Sequence, residues 1–142
     1  MRYAIYWCPG AGDTLLHAGE HWLGRSVVDA SILPRPIVAE IADARLAALT
    51  NSASRYGFHA TIKAPLYLKA GIGEEQFLHA IAELAGMLAP FAMPVLAVRR
   101  LGRFLALRPA EDETALNALA RRVVIALDGY RRPLSVAELA RR

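Results

Sequence analysis

Tyr56-Gly57-Phe58-His59-Ala60-Thr61-Ile62-Lys63-Ala64-Pro65 is the stretch on which the reading of this chain turns. Its composition predicts a strand over 56–63, with Pro65 as a boundary and a short continuation at 66–68. Side chains of a strand alternate between its two faces. Phe58, Ala60 and Ile62 are thus expected to enter a core, and His59, Thr61 and Lys63 to stand in a row on the other side. An imidazole, a hydroxyl and an ammonium in a row are the groups needed to handle a phosphodiester. The imidazole transfers protons near neutral pH. The hydroxyl donates a hydrogen bond to a phosphoryl oxygen, and the ammonium neutralises its charge.

Working outward, residues 2–7 read as a strand, followed by the turn Cys8-Pro9-Gly10-Ala11-Gly12. Asp13 is a good N-cap for a helix that Gly24 stops, with Leu15, Leu16, Trp22 and Leu23 able to share a face. Residues 26–39 contain Pro34 and Pro36 and read as an extended loop. A short helix is expected over 41–49, ending in the polar loop 50–54. Beyond the central stretch, an amphipathic helix is expected over 74–88, ended by Pro90. Strands are expected over 93–99 and 103–108, joined near Arg100-Leu101-Gly102, and a second amphipathic helix over 112–128. Ser135-Val136-Ala137-Glu138 is a capping box that announces one more helix shortly before Arg142. Grouped strands and helices of this kind predict an α+β class.

The chain has 142 residues, 55% of them hydrophobic and 21% charged, which excludes an intrinsically disordered polymer. The single cysteine, Cys8, excludes an internal disulfide and a cysteine-based zinc site within one chain. The longest apolar stretch, 84–98, is broken by Pro90 and Pro94 and is too short to span a bilayer. The N-terminus enters a strand pattern at once, without a signal peptide, so a cytoplasmic location and no membrane partner are expected. The net charge of +4 suits anionic ligands. The arginines are scattered rather than interleaved with aromatics, so nucleic acid is a minority expectation for the partner.

A bare His-x-Ser/Thr is weak evidence by itself. With nine Ser or Thr and four His in the chain, it arises by chance about a quarter of the time. The longer pattern is more specific. Arg2-Tyr3-Ala4-Ile5-Tyr6, the stretch 56–65, Gly102-Arg103-Phe104-Leu105-Ala106-Leu107-Arg108-Pro109 and Pro133-Leu134-Ser135-Val136-Ala137-Glu138-Leu139-Ala140-Arg141-Arg142 together resemble the DUF1045 family. That family is associated with phosphonate metabolism and belongs to the two-histidine (2H) phosphoesterase superfamily. The resemblance runs over the whole chain, with its motifs in order.

The resemblance implies a bilobal α+β fold of antiparallel sheets with flanking helices, each lobe giving one strand with a His-x-Thr/Ser motif to a cleft. It implies a proton-transfer role for His59 and a phosphoryl hydrogen bond from Thr61. No metal or other cofactor is expected. The substrate it implies is a cyclic phosphate or phosphodiester of a small sugar or nucleotide, a ribosyl cyclic phosphate among them. Lys63, Tyr6 and Arg108 are the candidate substrate-binding residues. The second motif is missing: His17, His21 and His79 are not followed at the right spacing by Ser or Thr. A chain truncated before it is therefore expected. Its single domain 1–142 would hold a first lobe at 1–90 and an incomplete second lobe at 91–142, with weak diesterase activity at most.

Two other readings compete. The chain could be a non-catalytic module that binds a phosphorylated ligand or a protein, and that self-associates through an open sheet edge into a homo-oligomer. His17-Ala18-Gly19-Glu20-His21 also matches the inverted zincin pattern H-x-x-E-H, with Glu20 as base. Against that stand Gly19 inside the helix and the lack of a third ligand. Cys8 is expected to be a packing residue, since a nucleophilic role requires a depressed thiol pKa.

Overall fold

The computed structural model describes residues 1–102 and 104–140; Arg103, Arg141 and Arg142, which take part in the resemblance above, lie outside them. The elements run β1 (Tyr3–Trp7), α1 (Thr14–Leu23), α2 (Asp43–Ser54), β2 (Ala60–Leu66), α3 (Glu74–Gly86), β3 (Leu96–Leu101), β4 (Phe104–Pro109), α4 (Thr114–Ala126), a 3-10 turn (Asp128–Tyr130) and α5 (Val136–Leu139). Among the described residues the strands form two two-stranded sheets, β1 with β2 and β3 with β4. The fold is thus mixed α+β, with small sheets and accompanying helices. No helix among the described residues is long and apolar enough to cross a membrane.

The chain divides into two compact units. One comprises Ile5–Thr61, the other Met1–Ala4 with Ile62–Arg142.

In the Ile5–Thr61 unit, α1 begins where the Asp13 carboxylate accepts the Leu15 N–H at 2.8 Å. It ends in a Schellman turn: Gly24 has a φ of 70°, its N–H reaches the His21 carbonyl, and the Arg25 N–H reaches that of Glu20. Leu16, Leu23 and Leu46 are buried where α1 meets α2. The helix α2 runs five residues beyond the expected Leu49. The polar run 50–54 is helical, and its hydroxyls turn back onto their own helix: Thr50 donates to the Leu46 carbonyl at 2.9 Å and Ser54 to that of Asn51 at 3.0 Å. Gly19 is explained by its surroundings. A Cβ there would run into the Phe58 ring, so the helix accepts glycine in its interior and the ring lies against bare backbone.

In the other unit Phe77 is the centre, 1% exposed, with Leu66, Leu84, Val123 and Leu127 also buried. The rings of Tyr3 and Tyr130 meet it at centroid distances of 5.8 and 5.6 Å. β2 starts four residues later than expected and passes through Pro65, which has no N–H to offer and is tolerated in a two-stranded sheet. The expected continuation past 66 is present as a single bridge, Leu68 with Arg131. The capping box is also formed. Ser135 Oγ accepts the Glu138 N–H, Glu138 Oε2 accepts the Ser135 N–H, and Arg132 Nη2 donates to the same carboxylate at 3.0 Å. The antiparallel β3–β4 ribbon pairs Val98 with Leu107 and Arg100 with Leu105, and all four side chains are exposed.

Gly19→Ala tests the packing at α1. At a solvent-facing helical site this change stabilises by about 1 kcal/mol. Here the new methyl must displace Phe58, and the thermal denaturation midpoint is expected to fall. A rise would show that the ring does not rest on Gly19.

Candidate functional site around His59

Three candidate residues come together in the Ile5–Thr61 unit. After α2 the chain makes a turn at Arg55-Tyr56 and enters Gly57 with a φ of 73°, a left-handed conformation that favours glycine. Val27 closes on Gly57, so that a Cβ there would be 2.9 Å from the nearest Val27 methyl. Phe58 and His59 follow before the strand begins at Ala60. The expected alternation over 58–63 therefore does not hold from its start. Phe58 is placed by Gly19, not by the pleat.

The His59 ring is held on both of its nitrogens. Nδ1 lies 3.0 Å from the Gly57 carbonyl oxygen, and Nε2 lies 3.3 Å from Thr61 Oγ1. A carbonyl only accepts, so Nδ1 carries the proton and donates it. In the neutral ring Nε2 is then the acceptor, and the Thr61 hydroxyl donates to it. Tyr6, from β1, stacks on the imidazole with centroids 3.8 Å apart and planes 25° from parallel. Tyr56 lies further away, at 6.4 Å. His59 is half-buried and Thr61 exposed, so the basic nitrogen and the hydroxyl sit together at an accessible edge. The arrangement offers one proton acceptor and one hydroxyl donor to a ligand that approaches Thr61. The Gly57 carbonyl, which sets the tautomer, was not anticipated. Its only sequence signal is the glycine two residues before the histidine.

Lys63 and Arg108 belong to the other unit and are engaged there. The Lys63 side chain is 5% exposed; its ammonium donates to the Val124 carbonyl at 2.9 Å and to Asp128 Oδ1 at 3.2 Å. Arg131 Nε reaches the same carboxylate at 3.0 Å. Arg108 Nη2 is 2.6 Å from Glu113 Oε1. Asp128, the partner of Lys63, was not anticipated from a pattern in which it is 65 positions away.

The His17-x-x-Glu20-His21 motif is divided by the fold. Glu20 Oε1 accepts the Val27 N–H at 2.7 Å and so anchors the loop after α1. Among the described residues no group of three or more His, Cys, Asp or Glu is placed to hold a metal ion. Burial, and then the charge of Glu20, push the Cys8 thiol up, which opposes thiolate formation and fits a packing residue.

Comparison with known proteins places these observations in a family. A family model described as "Protein of unknown function (DUF1045)" matches residues 61–142, just over half of the chain. Two curated relatives carry the name ribose 1,5-bisphosphate phosphokinase PhnN. The one from Janthinobacterium sp. (strain Marseille) is 36% identical over 141 residues, 99% of this chain and 31% of its own length. The one from Laribacter hongkongensis (strain HLHK9) is 36% identical over 155 residues, 100% of this chain and 36% of its own length. The chain thus spans about a third of the curated relatives it matches, and both alignments extend over the region that carries His59. No solved structure matches.

The Lys63–Asp128 pair generates a prediction with two parts. The Asp128 carboxyl is held below its ordinary value of 3.8, first by the hydrogen bond from Arg131 and then by that from Lys63. The unfolded chain therefore binds the proton more readily. Stability from this group is fully present above the ordinary value and is lost as pH falls through the lower folded one. Asp128→Asn is expected to flatten the acid limb of a stability-against-pH curve measured by urea denaturation. At neutral pH it is expected to destabilise more than Lys63→Met, because it strands a buried ammonium whereas the methionine removes it. Equal effects of the two variants would show that the ammonium is solvated.

Proposed function

This chain belongs to the DUF1045 family, and from that premise together with the geometry at His59 we propose that it handles a phosphoester. The ligand class is a cyclic phosphate or phosphodiester of a small sugar or nucleotide. The observation that carries the reading is the His59 Nε2–Thr61 Oγ1 contact of 3.3 Å with Nδ1 tied to the Gly57 carbonyl. Thr61 gives its hydrogen bond to a non-bridging phosphoryl oxygen in place of the imidazole. His59 Nε2 then takes the proton of an attacking water. A P–O bond to water forms, the P–O bond to one sugar oxygen breaks, and a phosphate monoester with a free hydroxyl results. Tyr6 keeps the ring in place by stacking on its face.

One further fact supports the substrate class. The relatives are named for a ribosyl bisphosphate, so a ribosyl cyclic phosphate, which opens to a ribosyl phosphate monoester, belongs to the same chemical circle. A place in phosphonate metabolism and the 2H superfamily type belong to this reading. Kinase chemistry does not: the two lysines stand in Ile62-Lys63-Ala64 and Leu68-Lys69-Ala70, outside any G-x-x-x-x-G-K-[ST] phosphate loop.

These 142 residues contain one His-x-Thr pair. Protonation of the leaving sugar oxygen then falls to solvent, and a missing proton-transfer partner costs about 10²–10⁴ in rate. The chain is expected to bind a ribosyl cyclic phosphate or a 2′,3′-cyclic nucleotide saturably in calorimetry and to open it slowly, followed by phosphorus NMR. His59→Ala is expected to abolish turnover, and Thr61→Val to weaken binding about tenfold, the value of one charge-assisted hydrogen bond. Binding indifferent to both changes, or absent from the intact chain, would overturn the reading.

A further inference from the structure

A second cluster lies in the Ile5–Thr61 unit, away from the His59 pair. An open cavity of about 490 Å³ is lined by His17, His21 and Trp22 of α1 together with Pro34, Arg35 and their neighbours. None of Tyr6, His59 and Thr61 lines it. The two histidines are four positions apart on one helix face, and their ring centroids are 4.2 Å apart, with the planes tilted by 38°. His21 Nδ1 lies 2.7 Å from the Pro34 carbonyl oxygen. That carbonyl can only accept, so Nδ1 holds the proton and Nε2 keeps its lone pair. A backbone carbonyl behind a histidine is the arrangement that orients metal-ligating imidazoles elsewhere.

We propose that His17 and His21 form a binding site for a divalent transition-metal ion at the mouth of this cavity. Two imidazoles sharing an ion at about 2.0–2.1 Å each hold their nitrogens about 3 Å apart. Centroids 4.2 Å apart leave the rings within that reach. Imidazole nitrogens select borderline ions such as Cu²⁺, Ni²⁺ and Zn²⁺ over hard Mg²⁺ and Ca²⁺. The chain supplies two ligands, and the open side leaves the remaining positions to water or to an oxygen donor of a ligand. Arg35 does not compete for them, since its guanidinium is drawn to the Leu23 carbonyl at 2.9 Å. Glu20 is committed to the Val27 N–H, so the site is one of binding and not of the zincin chemistry that the motif suggests. This inference is independent of the phosphoester reading.

Trp22 is 45% exposed on the same cavity and makes the site self-reporting. The full chain without a histidine tag is titrated with Cu²⁺ and with Ni²⁺, with tryptophan fluorescence and Cu²⁺ EPR as readouts. The expected result is quenching that saturates at one equivalent, nitrogen hyperfine structure in the EPR signal, tighter binding of Cu²⁺ than of Ni²⁺, and no response to Mg²⁺. His17 is exposed, so His17→Ala keeps the fold, checked by circular dichroism, and raises the half-saturating concentration about tenfold or more. His79→Ala, an exposed histidine on α3, leaves it unchanged. Quenching that survives His17→Ala and Trp22 responses no different for Mg²⁺ would overturn the proposal.

Discussion

Gly57 carries a φ of 73°, and Val27 leaves no room at that position for a side chain. From that one backbone constraint the candidate site is assembled. The left-handed residue ends the turn after α2 and redirects the chain toward β2. It presents its carbonyl to His59 Nδ1, which fixes the tautomer and leaves Nε2 basic. It also brings Phe58 over the bare backbone of Gly19, while Val27 fills the space beside Gly57 itself. Thr61 and Tyr6 then meet an imidazole whose orientation is already set.

The other unit treats its charged groups differently. Lys63 lies two residues beyond Thr61, yet its ammonium is buried among a backbone carbonyl and Asp128, while Arg131 shares the same carboxylate. A buried ammonium is tolerated only with such partners, because the cost of leaving it unpaired is several kcal/mol. The arrangement joins β2 to the C-terminal end of α4 and to the turn beyond it. The bridge between Leu68 and Arg131 and the Arg132 guanidinium stacked 4.9 Å above Tyr67 hold the same two segments together. The segment that leads into the capping box is therefore anchored before α5 begins.

The local signals were the legible part. Asp13 and Gly24 marked the ends of α1 to the residue, and Ser135 with Glu138 marked the start of α5, because caps are chemistry within a few positions. The amphipathic periods of α3 and α4 and the ribbon β3–β4 were likewise visible. The boundaries of α2 and β2 were misplaced for local reasons of another kind. The polar run 50–54 continues α2, its Thr50 and Ser54 hydroxyls turned back onto their own helix, and the turn at Gly57 delays β2. Family membership was legible from the ordered strings, and the match over 61–142, which takes in those at 102–109 and 133–142 but not 2–6 or His59, bears out the family.

What the sequence determined by itself was the set of elements, the mixed α+β class, the family, and the nearness of His59 and Thr61, two residues apart at the entry to β2. What only the tertiary structure decided was the company those groups keep. Tyr6 on His59, Phe58 on Gly19, Asp128 on Lys63 and Glu20 on Val27 are contacts between distant positions or across loops. A sequence pattern carries residue type and local period, but burial and partner choice follow from how whole elements pack. For that reason the same string that announced an imidazole, a hydroxyl and an ammonium in one row delivered the first two to an accessible edge and the third to a core.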